Sequence, residues 1–97
     1  MYQAQFYNKN DKDSIEAEIR KEGFDPILVH DPAGHVYPAH RHPETKLLAF
    51  LLGEMTVKVG DNTFKCAPGD KVVIPGNVEH SAAVGPEGCV FFWSEKL

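Results

Sequence analysis

From Phe24 onward, runs of β-branched and aromatic residues are cut at short, regular intervals by clusters of Gly, Pro, Asp and Asn. This punctuation excludes long helices and is the signature of an all-β chain. Strands are expected at about 25–30, 35–42, 46–52, 54–59, 62–66, 71–74, 79–84 and 89–94. Gly53, Gly60-Asp61-Asn62, Pro68-Gly69-Asp70, Pro75-Gly76-Asn77 and Gly85-Pro86-Glu87-Gly88 stand between them and supply the positive or fixed φ a reversing chain needs. So many short strands cannot lie in one flat sheet without long exposed edges, which favours a small sandwich or barrel. With 97 residues there is one core to bury and therefore one domain: an N-terminal strand and helix over about 1–23, and a barrel over about 24–97.

The N-terminal segment follows a different grammar. Asp13 or Ser14 can cap a short helix, with Glu16 placed for a capping box from Asp13 and Gly23 closing it in the left-handed conformation. Ile15 and Ile19, one turn apart, form a narrow apolar stripe that can dock on something larger but cannot found a core.

Ten Lys+Arg against fourteen Asp+Glu give a formal charge of −4 and a pI near 5.6. No basic stretch exists to displace phosphate counterions, so nucleic acid is not an expected partner. No apolar run approaches the ~20 residues of a membrane-spanning helix, and Met1 to Tyr7 lacks the charged-then-apolar shape of a signal peptide, so a cytoplasmic location is expected. Cys66 and Cys89 are too few for a disulfide framework and read as small buried apolar residues.

Chemistry is carried by the histidines, at 30, 35, 40, 42 and 80. Residues two apart on a strand share a face, so His40 and His42 can aim both imidazoles at one point. A third ligand has to come from another strand, and His80, after the Pro75-Gly76-Asn77 turn, is the candidate. Three imidazoles suit zinc, iron, nickel, copper or manganese and leave positions open for water or substrate. His30 and His35 read as structural histidines.

The frame around these residues resembles the cupin superfamily of small β-barrels. Gly34, five residues, His40-Arg41-His42 and then Gly53 match the first cupin motif; Gly69, Pro75 and His80 fall at the spacings of the second. The resemblance implies a jelly-roll barrel, or double-stranded β-helix, that holds a divalent transition metal (Fe, Zn, Ni or Mn) through His40, His42 and His80 and assembles as a homodimer. Three positions depart from the pattern. Asn77 replaces a glycine, Val84 an asparagine, and Lys46 the glutamate that would complete the metal site. An ammonium about 5 Å from a divalent ion is repelled by roughly 7 kcal/mol at an effective dielectric near 20. Lys46 must therefore turn toward Glu44, lose its proton through burial, or face a pocket without metal. In the catalytic reading, Lys46 is a fixed positive charge that stabilises an anionic substrate oxygen; Glu44 is a candidate pocket residue and an alternative fourth ligand, although it comes earlier in the sequence than the motif's glutamate.

If His40 and His42 point inward and strand parity holds, so do Lys46, Leu48, Phe50 and Leu52, together with His80, Ala82 and Val84. Such a pocket is mostly apolar with a few polar heads and suits a small anionic molecule. The opposite face, Leu47, Ala49 and Leu51, is also apolar and needs cover from the helix, the Tyr2 to Tyr7 segment or a second subunit. Phe91-Phe92-Trp93 reads as core or interface before ligand contact, and Tyr37 reaches the pocket mouth only if Pro38 shifts its strand. Three functions fit: a metal-dependent enzyme of the dioxygenase or isomerase type, a non-catalytic ligand-binding sensor, and a metal-free epimerase-like enzyme using a histidine base.

Overall fold

The computed structural model describes residues 1–8 and 11–96. Its elements are β1 (Tyr2–Gln3), α1 (Lys12–Lys21), β2 (Phe24–Asp31), β3 (Val36–His40), β4 (Lys46–Val59), β5 (Asn62–Cys66), β6 (Lys71–Ile74) and β7 (His80–Lys96). The strands pair antiparallel in the order β1-β6-β4-β7-β2, with β3 on β7 and β5 on β4, and form the expected small all-β barrel with one short helix. β7 organises it: its first half pairs with β3, its second half with β2, and nearly its whole length with β4.

Two expected reversals are bends inside continuous strands. The segments expected at 46–52 and 54–59 are one strand, β4, and those at 79–84 and 89–94 are one strand, β7. Gly53 pairs with Cys89 and Met55 with Val84, so Gly85 to Gly88 bulge opposite Glu54 alone. A Cβ on Gly53, whose φ is +76°, would lie 2.0 Å from the Gly88 carbonyl oxygen, so the two backbones approach this closely only at glycine.

A second irregularity changes which residues face inward. Phe50 pairs with Phe91 but Leu52 with Val90, which leaves Leu51 as an extra residue. Past it the parity of β4 inverts. Leu48 and Phe50 lie inside, then Met55, Val57 and Val59, while Leu52, expected inside, is 62% exposed. On β3, Tyr37 pairs with Ala82 and His40 with His80, so Pro38 and Ala39 absorb a bulge and Tyr37 joins His40 on the interior side. Proline, which has no N–H to give a ladder, is at home there.

The outer apolar face is covered from within the chain. Leu47, Ala49, Leu51 and Phe92 pack against Ile15, Ile19, Tyr7 and Phe24. Each isoleucine so buried contributes about 1.5–3 kcal/mol. The helix starts two or three residues earlier than expected: Asp11, not Asp13 or Ser14, is the N-cap, accepting from the Ser14 N–H at 3.2 Å and the Ser14 hydroxyl at 2.7 Å. Gly23 closes it with φ +88°, as expected. Lys71 pins the helix end to the sheet through a 2.6 Å ion pair with Glu22. The N-terminal strand is limited to β1, whose segment is held by Asp70: its carboxylate accepts from the Tyr2 hydroxyl and from the backbone N–H groups of Gln5 and Ala67. Cys66 and Cys89 are buried free thiols, as expected.

Candidate metal centre

His40 ends β3 and His80 begins β7, and the two are register partners. His42 lies past the end of β3, in the loop before β4, so strand alternation does not place it. The Pro75-Gly76-Asn77 turn does. Asn77, with φ +64°, donates its N–H to the His42 carbonyl at 2.6 Å. A Cβ on Gly76 would stand 2.3 Å from the Pro43 carbonyl oxygen, so glycine lets the two loops touch backbone to backbone. Asn adopts the left-handed conformation with little strain, which explains why Asn77 serves at a position where the family pattern has glycine.

The three rings gather at one end of the barrel, with centroids 4.6 Å apart for His40 and His42, 4.4 Å for His40 and His80, and 5.1 Å for His42 and His80. One ligand nitrogen from each lies within 4.8 Å of the others, and among the described residues this is the one group of three His, Cys, Asp or Glu side chains so placed. Two backbone carbonyls orient the rings. Nδ1 of His40 is 2.6 Å from the Pro38 oxygen and Nδ1 of His80 is 3.0 Å from the Val78 oxygen. A carbonyl only accepts, so in both rings Nδ1 carries the hydrogen and Nε2 presents its lone pair. Nε2 of His40 lies 3.0 Å from Nε2 of His42, a distance at which the two nitrogens share a hydrogen and also the separation of two ligands about 2.1 Å from one ion and at about 90° to each other. Nε2 of His80 is buried and has no hydrogen-bond partner.

Electrostatics favour the neutral, ligating form. Burial lowers the pKa of His42, and the neighbouring His40, Lys46 and His80 charges lower it further against an opposing effect of Glu44. His80 is likewise lowered, chiefly by burial; its bond to the Val78 carbonyl works the other way, and the charges of His40 and Lys46 add to the lowering.

Lys46 is buried on the inner face, and its ammonium turns to Glu95 at 2.7 Å and to Glu44 at 3.6 Å. Glu95 is its directly opposed cross-strand partner, a position that strand alternation on β4 alone does not reveal. The ammonium holds the Glu95 carboxyl below the ordinary carboxylate range, first through the hydrogen bond and then through its charge. Glu44 lies outside the histidine group, and neither it nor Lys46 lines the cavity.

That cavity, about 290 Å³, opens beside the imidazoles. Of the residues expected to line it, Leu48 and Ala82 do; Phe50 and Val84 are packed into the core, and Leu52 faces outward. Met55 and Val57 take the place of Leu52 because of the inverted parity, and Val29, Ile74, Phe91 and Trp93 complete the wall. Tyr37, on the lining, donates its hydroxyl hydrogen to Asp31. The Trp93 ring meets His42 edge-on at 5.8 Å, and the Lys46 ammonium sits 5.4 Å from its centre. His30 and His35 are exposed and stand apart from the cluster.

No curated protein sequence matches the chain. Among solved structures, it is similar to the cupin domain of Cnp3 from Schizosaccharomyces pombe, with 21% identity, 76% of this chain and 52% of that one covered, and a TM-score of 0.70. It is also similar to the DMSP lyase DddQ from Ruegeria pomeroyi DSS-3, with 25% identity, 77% and 39% covered, and a TM-score of 0.69. A variant of oxalate decarboxylase from Bacillus subtilis superposes with 18% identity, 84% and 23% covered, and a TM-score of 0.70. The chain thus spans about half or less of the length of these three structures. A family model described as the cupin domain matches residues 27–95, which run from Ile27 within β2 to Glu95 within β7 and include all three clustered histidines, and the chain belongs to that family.

Proposed function

We propose that this cupin holds a divalent transition metal ion through Nε2 of His40, His42 and His80 and offers it to a small molecule seated in the adjoining cavity. The observation that carries the proposal is the orphaned Nε2 of His80. A buried nitrogen with an unused lone pair is costly unless something binds it, and the Val78 carbonyl holds the ring in the tautomer a metal requires. A bound ion would act as a Lewis acid toward an oxygen of the ligand, in keeping with the lyase and decarboxylase chemistry named for two structurally similar proteins. The chain's own residues do the rest. Pro38 and Val78 fix two rings, Asn77 holds the loop that carries the third, and the apolar wall offers hydrocarbon surface to the ligand beside them. Lys46 does not oppose the ion as an uncompensated charge, because Glu95 and Glu44 offset it. An enzymatic role of the dioxygenase or isomerase type would draw on the same arrangement.

Elemental analysis of protein purified without an affinity tag tests this. Near-stoichiometric iron, zinc, nickel or manganese is expected, and its loss in His80→Ala and His42→Ala variants whose circular dichroism is unchanged. Metal content that survives in both variants, or no uptake from any of these salts, refutes the proposal.

A further inference from the structure

The cavity has two unlike ends. At one, the three imidazoles bring their ring nitrogens together, with Nε2 of His80 unpartnered among the described residues; away from them, Val29, Leu48, Met55, Val57, Ile74 and Phe91 make a hydrocarbon wall. Outside the histidines, the polar side-chain groups on the described lining are the Tyr37 and Ser81 hydroxyls and the Trp93 indole N–H, and the Tyr37 hydrogen is already given to Asp31. No Asp, Glu, Lys or Arg is among the described lining residues, and the ammonium of Lys46 is directed to Glu95 and Glu44.

From this we infer the class of ligand: a monoanion with one oxygen-bearing head at the histidine end and an apolar body inside the barrel. The inference rests on the metal reading above and specifies it further. Three neutral imidazoles leave the charge of a divalent ion unneutralised, so an anionic head is favoured there. A second charge or a row of hydroxyls on the body would be buried against hydrocarbon without partners, which disfavours dicarboxylates and sugars. A volume of about 290 Å³, at roughly 30 Å³ for each water-sized group, holds about ten non-hydrogen atoms.

The test uses the full chain, first titrated with zinc by calorimetry and then, zinc-loaded, with straight-chain carboxylates from acetate to decanoate, with hexanamide and with adipate. Affinity is expected to rise about fourfold per methylene and to level off near octanoate. Hexanamide and adipate are expected to bind at least tenfold more weakly than hexanoate. Leu48→Ala should move the plateau to longer chains, and Ala82→Leu, which adds bulk on a partly buried position, should move it to shorter ones; two variants keep the test alive should one fail to fold. A series independent of chain length, or adipate equal to hexanoate, overturns the inference and leaves the metal proposal standing. Failure to bind any of zinc, iron, nickel and manganese overturns both.

Discussion

Replacing Gly53 with alanine tests the device that shapes the cavity. At φ +76° an alanine pays the left-handed penalty of about 1–2 kcal/mol. Its Cβ would also stand 2.0 Å from the Gly88 oxygen, 2.9 Å from the Gly88 carbonyl carbon and 3.1 Å from the Cys89 Cα. All three are backbone atoms on the paired strand, so no side chain can rotate away, and the strands must separate by about 1 Å or more to restore van der Waals distance. That opening weakens the ladder around Gly53 and Cys89, at about 0.5–1.5 kcal/mol for each hydrogen bond lost. With two such bonds lost the total, about 2–5 kcal/mol, is a large part of the 5–15 kcal/mol typical of a domain. Gly60→Ala is the control: its φ is +58° but nothing lies within 4 Å of an added Cβ, so the conformational penalty of about 1–2 kcal/mol stands alone. Urea unfolding followed by Trp93 fluorescence and far-ultraviolet circular dichroism measures both. Should Gly53→Ala be no more destabilising than Gly60→Ala, the close backbone approach of β4 and β7 at Gly53 and Gly88 does not hold.

Lys46→Glu is expected to lower the melting temperature of the metal-free protein, because it sets a third carboxylate beside Glu44 and Glu95, and to tighten zinc binding on the order of tenfold, because it removes the positive charge that offsets those two carboxylates and adds a negative one; calorimetry showing unchanged or weaker zinc affinity counts against this placement of residue 46. Burial pushes the Cys66 and Cys89 thiols up to about 12 from an ordinary value near 9. The folded state therefore keeps protons that the unfolded chain releases, so this stabilisation is whole below about pH 9 and drains away as pH rises toward 12. Unfolding free energy should fall between pH 8 and pH 11, and a thiol reagent at pH 8 should label the native protein slowly and the urea-unfolded protein fast; flat stability or rapid native labelling contradicts it.

The histidine site was legible because its parts are local. His40-Arg41-His42 is a short string, and Pro75 and His80 sit at fixed distances from a turn whose residue types announce it. The route by which they converge was less so. His42 is not on the strand that alternation assigned to it; a hydrogen bond from Asn77 and the bare Cα of Gly76 hold its loop in place. Lys46 stands out in the sequence as the anomaly of the site, yet its main partner, Glu95, lies near the other end of the chain and meets it through cross-strand register. The apolar face of Leu47, Ala49 and Leu51 was visible as needing cover, and the choice among its candidate covers fell to Ile15, Ile19 and Tyr7 of the same chain.

The order of residues alone determined that this is one all-β domain with a short helix and that three histidines stand at metal-ligand spacing, because turn chemistry and the period of a strand act between near neighbours. Tertiary structure decided which side chains meet the ligand. The extra residue at Leu51, the bulge at Pro38 and Ala39 and the contact of Gly53 with Gly88 each depend on a partner strand far off in the chain, and a shift of one residue there exchanges the inside of the barrel for its outside.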